Sequence, residues 1–296
     1  MLKTTVKLTD FKNEKLNVNR IFSNRVVPSV TMWILAIIIM LPFLWMLSAS
    51  FKRPADIFQF PVQWIPGYFY PDNYTYIFGN KTYNFLIMYW NSIKITAVNV
   101  FGALFISILA AYGFSKLKFP GRDVIFLLFI STLVIPNQVL MVPRFIIFQW
   151  LGIMNTHWAL ILPGFFAVMN TFLLRQYFVQ IPNEISESAF IDGANHLRIC
   201  FQLIVPLAKP IITTFIIVVA TVHWNDYEMP LVFLRNKELF TLPVGLAFYA
   251  MANAREGAEY HYLLAGASVS ILPMMAVFLL GQKQFIEGLT AGAVKG

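Results

Sequence analysis

The residue types best placed to do chemistry lie between Tyr177 and Pro210, in YFVQIPNEISESAFIDGANHLRICFQLIVPLAKP. They suit recognition and not bond making. Pro182-Asn183 predicts a helix start, with Asn183 as N-cap and Glu184 and Glu187 adding negative charge to the first turn, where the helix macrodipole favours it. Gly193 reads as a helix end, because glycine takes φ > 0 without a Cβ penalty. Asn195 is placed to cap a second helix, and Pro206 and Pro210 punctuate the start of the next apolar run. The expected product is a short helix–Gly–helix unit between two hydrophobic spans. By themselves these residues also describe an ordinary amphipathic connector, with Glu187 in a capped helix, Asp192 a solvated acid and Gly193 a turn.

No catalytic constellation accompanies this unit. The sequence has no G-x4-G-K-[ST], and no Gly-Lys pair at all, so it lacks the phosphate-cradling loop that binds ATP in that way. Neither H-E-x-x-H nor G-x-S-x-G occurs. The single cysteine, Cys200, forms no intrachain disulfide and no cysteine metal cluster, and reads as a small residue in a partly buried helix. Ionisable side chains avoid the apolar interiors: Lys94, Arg144, Arg175, His223 and Asp226 fall at their ends, where interfacial solvation or snorkelling accommodates them. His157 likewise reads as an interfacial residue.

The elements that must position the unit follow from composition. Of 296 residues 58% are apolar and only 12% charged, against about 25% charged in soluble proteins. Membrane spans, and not soluble domains, are therefore the units to count. The net charge of +8 does not indicate nucleic acid, because the basic residues flank apolar runs and form no basic, aromatic-interleaved face. The predicted fold is all-α, a polytopic membrane protein with six transmembrane helices. A polar N-terminal tail, 1–26, precedes a membrane domain over 27–282, and 283–296 form a C-terminal tail. The expected spans are 27–50, 92–114, 123–143, 157–175, 207–225 and 262–282, each about the length needed to cross the hydrocarbon core. Residues 51–91, rich in Tyr and Trp, predict an interfacial outer loop, and 226–260 a second one. Ala103, Ser107 and Ala111 recur every four residues and put a small-residue face on the second span. Pro136 and Pro143 either kink the third span or end it.

Charge sets the orientation. Fourteen of the 22 Lys and Arg residues fall in 1–26, 115–122, 175–209 and the C-terminal tail, and eight in 51–94, at Arg144 and in 226–260. The positive-inside rule then places both termini and the 176–206 loop in the cytoplasm.

Glu187-Ser188-Ala189, Gly193 six residues after Glu187, and Leu203-Ile204-Val205-Pro206 resemble the EAA loop (E-A-A-x3-G-x9-I-x-L-P) of bacterial ABC importer permeases. Ser188 stands for the middle Ala, and Leu203 and Val205 for Ile and Leu. The stretch NSIKITAVNVFGALFISILAAYGFSKLKFPGR and the C-terminal QKQFIEGLTAGAVKG resemble the maltose-type carbohydrate branch of that family, so the resemblance covers about residues 27–296. It implies an ABC type I importer permease fold in a bacterial cytoplasmic membrane, importing a sugar or oligosaccharide by alternating access. It also implies a second permease subunit, an ATPase dimer and an extracytoplasmic solute-binding protein as partners, with ATP and Mg on the ATPase and no cofactor on this chain. The ATPase-coupling residues it implies are Glu187, Ser188, Ala189, Asp192, Gly193 and Pro206, in a coupling helix that docks into a cleft of the ATPase. Glu187 and Asp192 pair there with basic groups of the ATPase or with local backbone amides. The other reading, an ion-coupled secondary transporter, has against it the empty span interiors and the lack of a broken-helix pair at matching positions.

Overall fold

The computed structural model describes residues 10–81, 84–253 and 259–293. The chain divides into two compact units, 1–70 and 71–296.

The first unit is built on α1, Asp10–Ala49, whose portion Val26–Ala49 is long and apolar enough to cross a membrane. No residue of its most apolar 18-residue stretch is buried, as suits side chains whose solvent is lipid. The following strap folds back on the helix end. Lys52, only 2% exposed, donates from Nζ to the Gln63 carbonyl, Ser48 Oγ donates to the Trp64 carbonyl at 2.6 Å, and Phe51 stacks on Phe69.

The second unit is organised around α3, Phe85–Lys116, capped by Asn84, whose side chain accepts from Ile87 N. The α3 helix begins seven residues before the expected second span, so the outer segment is correspondingly shorter. A short α2, Asp72–Gly79, precedes it. The predicted small-residue face is fully buried, and Ser107 accepts a hydrogen bond from Thr171 at 2.7 Å. Further along, Asn91 donates to the Glu238 and Phe240 carbonyls, and Ser92 Oγ accepts from Leu242 N.

Among the described residues the expected third span is not one continuous helix. Helix α4 runs only over Arg122–Ser131 and ends in a 3-10 turn, Thr132–Val134. Ile135 is extended, as a residue before proline tends to be, and Pro136 therefore ends the helix. Pro143 does not kink it: it lies in the first turn of a separate α5, Met141–Trp150, where a missing N–H costs nothing. The expected fourth span is present as Trp158–Gln180, long and apolar enough to cross a membrane, with a short local break between α6, Trp158–Gly164, and α7, Val168–Gln180. Next come α8, Asn183–Ile191, and α9, His196–Ile199. The latter continues through a π turn, Cys200–Ile204, into α10, Val205–Leu207. Helix α11, Lys209–Trp224, leaves at 85° to the His196–Leu207 run.

The region expected as a second outer loop is largely helical, with α12 at Glu228–Phe233 and an apolar α13 at Leu242–Asn253. Helix α14, Tyr260–Ala293, extends into the residues read as a C-terminal tail. Among the described residues four helices are long and apolar enough to cross a membrane, or five if the bent pair is one span.

Candidate functional site

Pro182 is extended (φ −55°, ψ 140°), so the helix boundary falls on it and Asn183 becomes the first helical residue. Asn183 therefore does not cap its own helix. Its Oδ1 accepts from Lys116 Nζ at 3.0 Å, and Lys116 also donates to the Ile181 carbonyl. Glu184 lies in the first turn, but Glu187 comes a turn later, where the macrodipole has faded. The Glu187 and Asp192 carboxylates are exposed and form no hydrogen bond or ion pair among the described residues. Ser188 Oγ donates back to the Glu184 carbonyl. Ile185 and Ala189, one turn apart, face inward with Ala194 against the buried cluster that contains Tyr112, Phe178 and Ile199.

The turn at Gly193 closes the helix by backbone geometry. Gly193 has φ 81°, its N–H donates to the Phe190 carbonyl at 3.0 Å, and Ala194 N–H donates to the Ala189 carbonyl at 2.9 Å. That pair of bonds is a Schellman cap, which needs a left-handed residue at Gly193. Asn195 caps α9 as expected, accepting from Arg198 N at 2.8 Å. Five of the six sequence-predicted residues thus lie together on α8 and its end. Pro206 stands apart, beyond the π turn. With no N–H and a ring that crowds the carbonyl four residues back, it favours the wider turn, in which Val205 N–H reaches the Cys200 carbonyl.

Sequence reasoning passed over two large apolar residues that flank the turn. Ile191 is 87% and Leu197 61% exposed, beside the unpaired acids. Their signal was present: branched apolar side chains inside an otherwise polar connector.

Polar contacts also join α7 to the end of α3 and to α4. Arg175 of α7 is not solvated at an interface. Its Nε donates to the Phe114 carbonyl at 3.3 Å, its guanidinium lies 4.1 Å over the Phe126 ring, and it stands 3.9 Å from Asp123. Arg122, 2.9 Å from Asp123 and hydrogen-bonded to it, holds that carboxyl below its ordinary range.

A second polar feature lies where α6 breaks from α7. Asn99 of α3 is fully buried, and neither Oδ1 nor Nδ2 has a hydrogen-bond partner among the described residues. It sits against Gly164. A Cβ there would meet Asn99 Oδ1 at 2.1 Å and His223 Cε1 at 2.7 Å, so the carboxamide and imidazole lie within about 5 Å of each other and only glycine permits the approach. His223 thus turns inward from the end of α11. Interrupted backbone at membrane depth is tolerated where protein covers it or where it lines a cavity.

Together, long apolar exposed helices, a broken span and an exposed helix–turn–helix define a helical membrane protein. The pattern of the family described as "Binding-protein-dependent transport system inner membrane component" matches residues 103–288. The chain belongs to this family, whose members are membrane permease components and not enzymes. It is 37% identical over 265 residues to the galactooligosaccharides transport system permease protein GanQ of Bacillus subtilis, covering 88% of this chain and 92% of that one. It is 35% identical to the arabinooligosaccharides permease AraQ of Halalkalibacterium halodurans, covering 88% and 93%. Against the probable ABC transporter permease YurM of B. subtilis the identity is 34%, covering 90% and 87%. A crystal structure of a bacterial ABC transporter involved in the import of the acidic polysaccharide alginate superposes with TM-score 0.77 at 27% identity, covering 96% of this chain and all of that one.

Proposed function

We infer that this chain is the membrane-spanning permease subunit of an ATP-driven importer of a sugar or oligosaccharide, working by alternating access with a second permease subunit, an ATPase dimer and an extracytoplasmic binding protein. The observation that carries the coupling part is the Schellman-closed α8 with its outer face of Glu187, Ile191 and Asp192 beside Leu197. Unpaired carboxylates next to exposed apolar side chains make a poor solvated surface and a good docking face. The ATPase cleft receives this face, with apolar contact from Ile191 and Leu197 and cationic partners for Glu187 and Asp192. Gly193 and Ser188 shape α8, Ala189 seats it, and Pro206 sets the bend that leads away from it. ATP and Mg belong to the ATPase.

Orientation follows the basic residues: 115–122, 176–206 and both termini lie in the cytoplasm, and 226–260 on the other side. The substrate class follows the oligosaccharide permeases among the chain's relatives. Within the membrane Asn99, at the α6–α7 break beside His223, is fully buried in this conformation, and its carboxamide meets the hydroxyls of a passing sugar when alternating access opens that break. A buried carboxamide without partners costs about 1–3 kcal/mol, a cost that a role in transport would account for.

Proteoliposomes provide the test. The purified chain alone hydrolyses no ATP, while the complete complex imports sugar only with ATP and binding protein, and a protonophore leaves uptake unchanged. Uptake driven by an imposed ion gradient without ATP would establish the ion-coupled reading instead.

A further inference from the structure

Helix α8 is held along its length by little more than the inward packing of Ile185 and Ala189. It is nine residues long, shorter than the roughly 12–15 at which isolated helices become marginal, and Ser186 is its one buried residue. Two side chains from the last turns of α3 secure its two ends. At the start, Lys116 Nζ donates to the Ile181 carbonyl and to Asn183 Oδ1. At the finish, Tyr112 Oη and His196 Nδ1 lie 3.2 Å apart in hydrogen-bonding contact, and the same imidazole packs edge-on against Phe190 with ring centroids 4.6 Å apart. Tyr112 and Lys116 are four residues apart, so they stand on one face of α3.

We propose that Tyr112 and Lys116 are positioning residues that clamp both ends of α8 to α3, so that the two helices move as one body and a displacement imposed at α8 is delivered along α3. This rests on the reading that α8 docks the ATPase. What makes the clamp consequential is the other end of α3. From Lys116 to Asn91 there are 25 residue steps, about 37 Å of continuous helix. There Asn91 holds the Glu238 and Phe240 carbonyls and Ser92 holds Leu242 N–H, at the start of α13. Between the two ends, Asn99 touches the α6–α7 break through Gly164. One rod therefore links the docking helix, the interrupted span and the segment beyond the far end of the bundle. With two attachment points α8 cannot pivot about either one, which a single contact would allow.

The contacts can be removed with small changes. Tyr112→Phe deletes one hydroxyl, and Lys116→Met keeps the aliphatic stem while deleting the donors. In the assembled importer, the double variant is expected to capture the ATPase and hydrolyse ATP within twofold of wild type, while sugar imported per ATP hydrolysed falls at least fivefold. Lys116→Arg, which keeps donors in place, restores most of that ratio when combined with Tyr112. An unchanged ratio in the double variant overturns the proposal, and so does a loss of uptake matched by an equal loss of ATPase capture. Failure of the underlying docking reading looks different: Gly193→Val would then leave ATPase capture intact, whatever the clamp variants do.

Discussion

At the scale of single residues, Gly164 and Asn99 carry the most specific expectation. Any side chain at 164 must displace the Asn99 carboxamide and the His223 ring. Gly164→Ala is therefore expected to lower thermal stability by about 1–3 kcal/mol, the usual cost of overpacking, and to impair uptake. Asn99→Leu separates packing from function. It removes two unpaired buried polar atoms at similar volume, so the complex keeps or gains stability. If Asn99 serves the passing sugar, uptake nonetheless falls about tenfold while ATP hydrolysis persists. Wild-type uptake by a stable Asn99→Leu complex would remove Asn99 from the transport path. His223 illustrates why such a site is hard to see in the sequence. One imidazole at the end of an apolar run looks interfacial, and nothing local says that α11 turns it toward a glycine about sixty residues earlier.

At the scale of elements, legibility follows the locality of the cause. The end of α8 at Gly193 and the cap at Asn195 depend on a few neighbouring residues and are readable. The small-residue face of α3 is readable too, because spacing on one helix fixes which residues share a side. The start of α8 differs from expectation by one residue, since Pro182 fixes the extended geometry and Lys116, 67 residues earlier, takes the Asn183 side chain. The third span fails for a related reason. Apolar composition continues through Pro136 and Pro143, but composition carries no hydrogen bonds, and the chain ends one helix and begins another. Helix α13 is hidden by charged residues on both sides of a short apolar run. Ile191 and Leu197 are visible as letters, yet only the fold shows that they face outward.

At the scale of the whole molecule, an orientation, a family and a device come together. The orientation rests on basic residues at the loop ends and is open to direct labelling. With Cys200 replaced and a single cysteine at position 195, an impermeant thiol reagent is expected to react in inverted vesicles and not in intact cells. Reaction from outside intact cells would reverse the topology and with it the docking face. The device is the Schellman-closed helix, whose conformation depends on Gly193. The space beside it is open, with nothing within 4 Å of the point where a Cβ would stand, so a substitution there acts through the backbone and not through a clash. Gly193→Val forces a β-branched residue to φ 81°, a local cost of about 1–2 kcal/mol, while the membrane helices, held by lipid and by one another, stay in place.

The most direct measurement is therefore co-purification of the ATPase with tagged Gly193→Val permease, read beside ATP-dependent sugar uptake in the same preparation. Normal membrane insertion with ATPase capture and uptake both reduced at least tenfold is the predicted result. Wild-type capture together with wild-type uptake would contradict the assignment of α8 and its Gly193 turn as the place where ATP hydrolysis is coupled to transport.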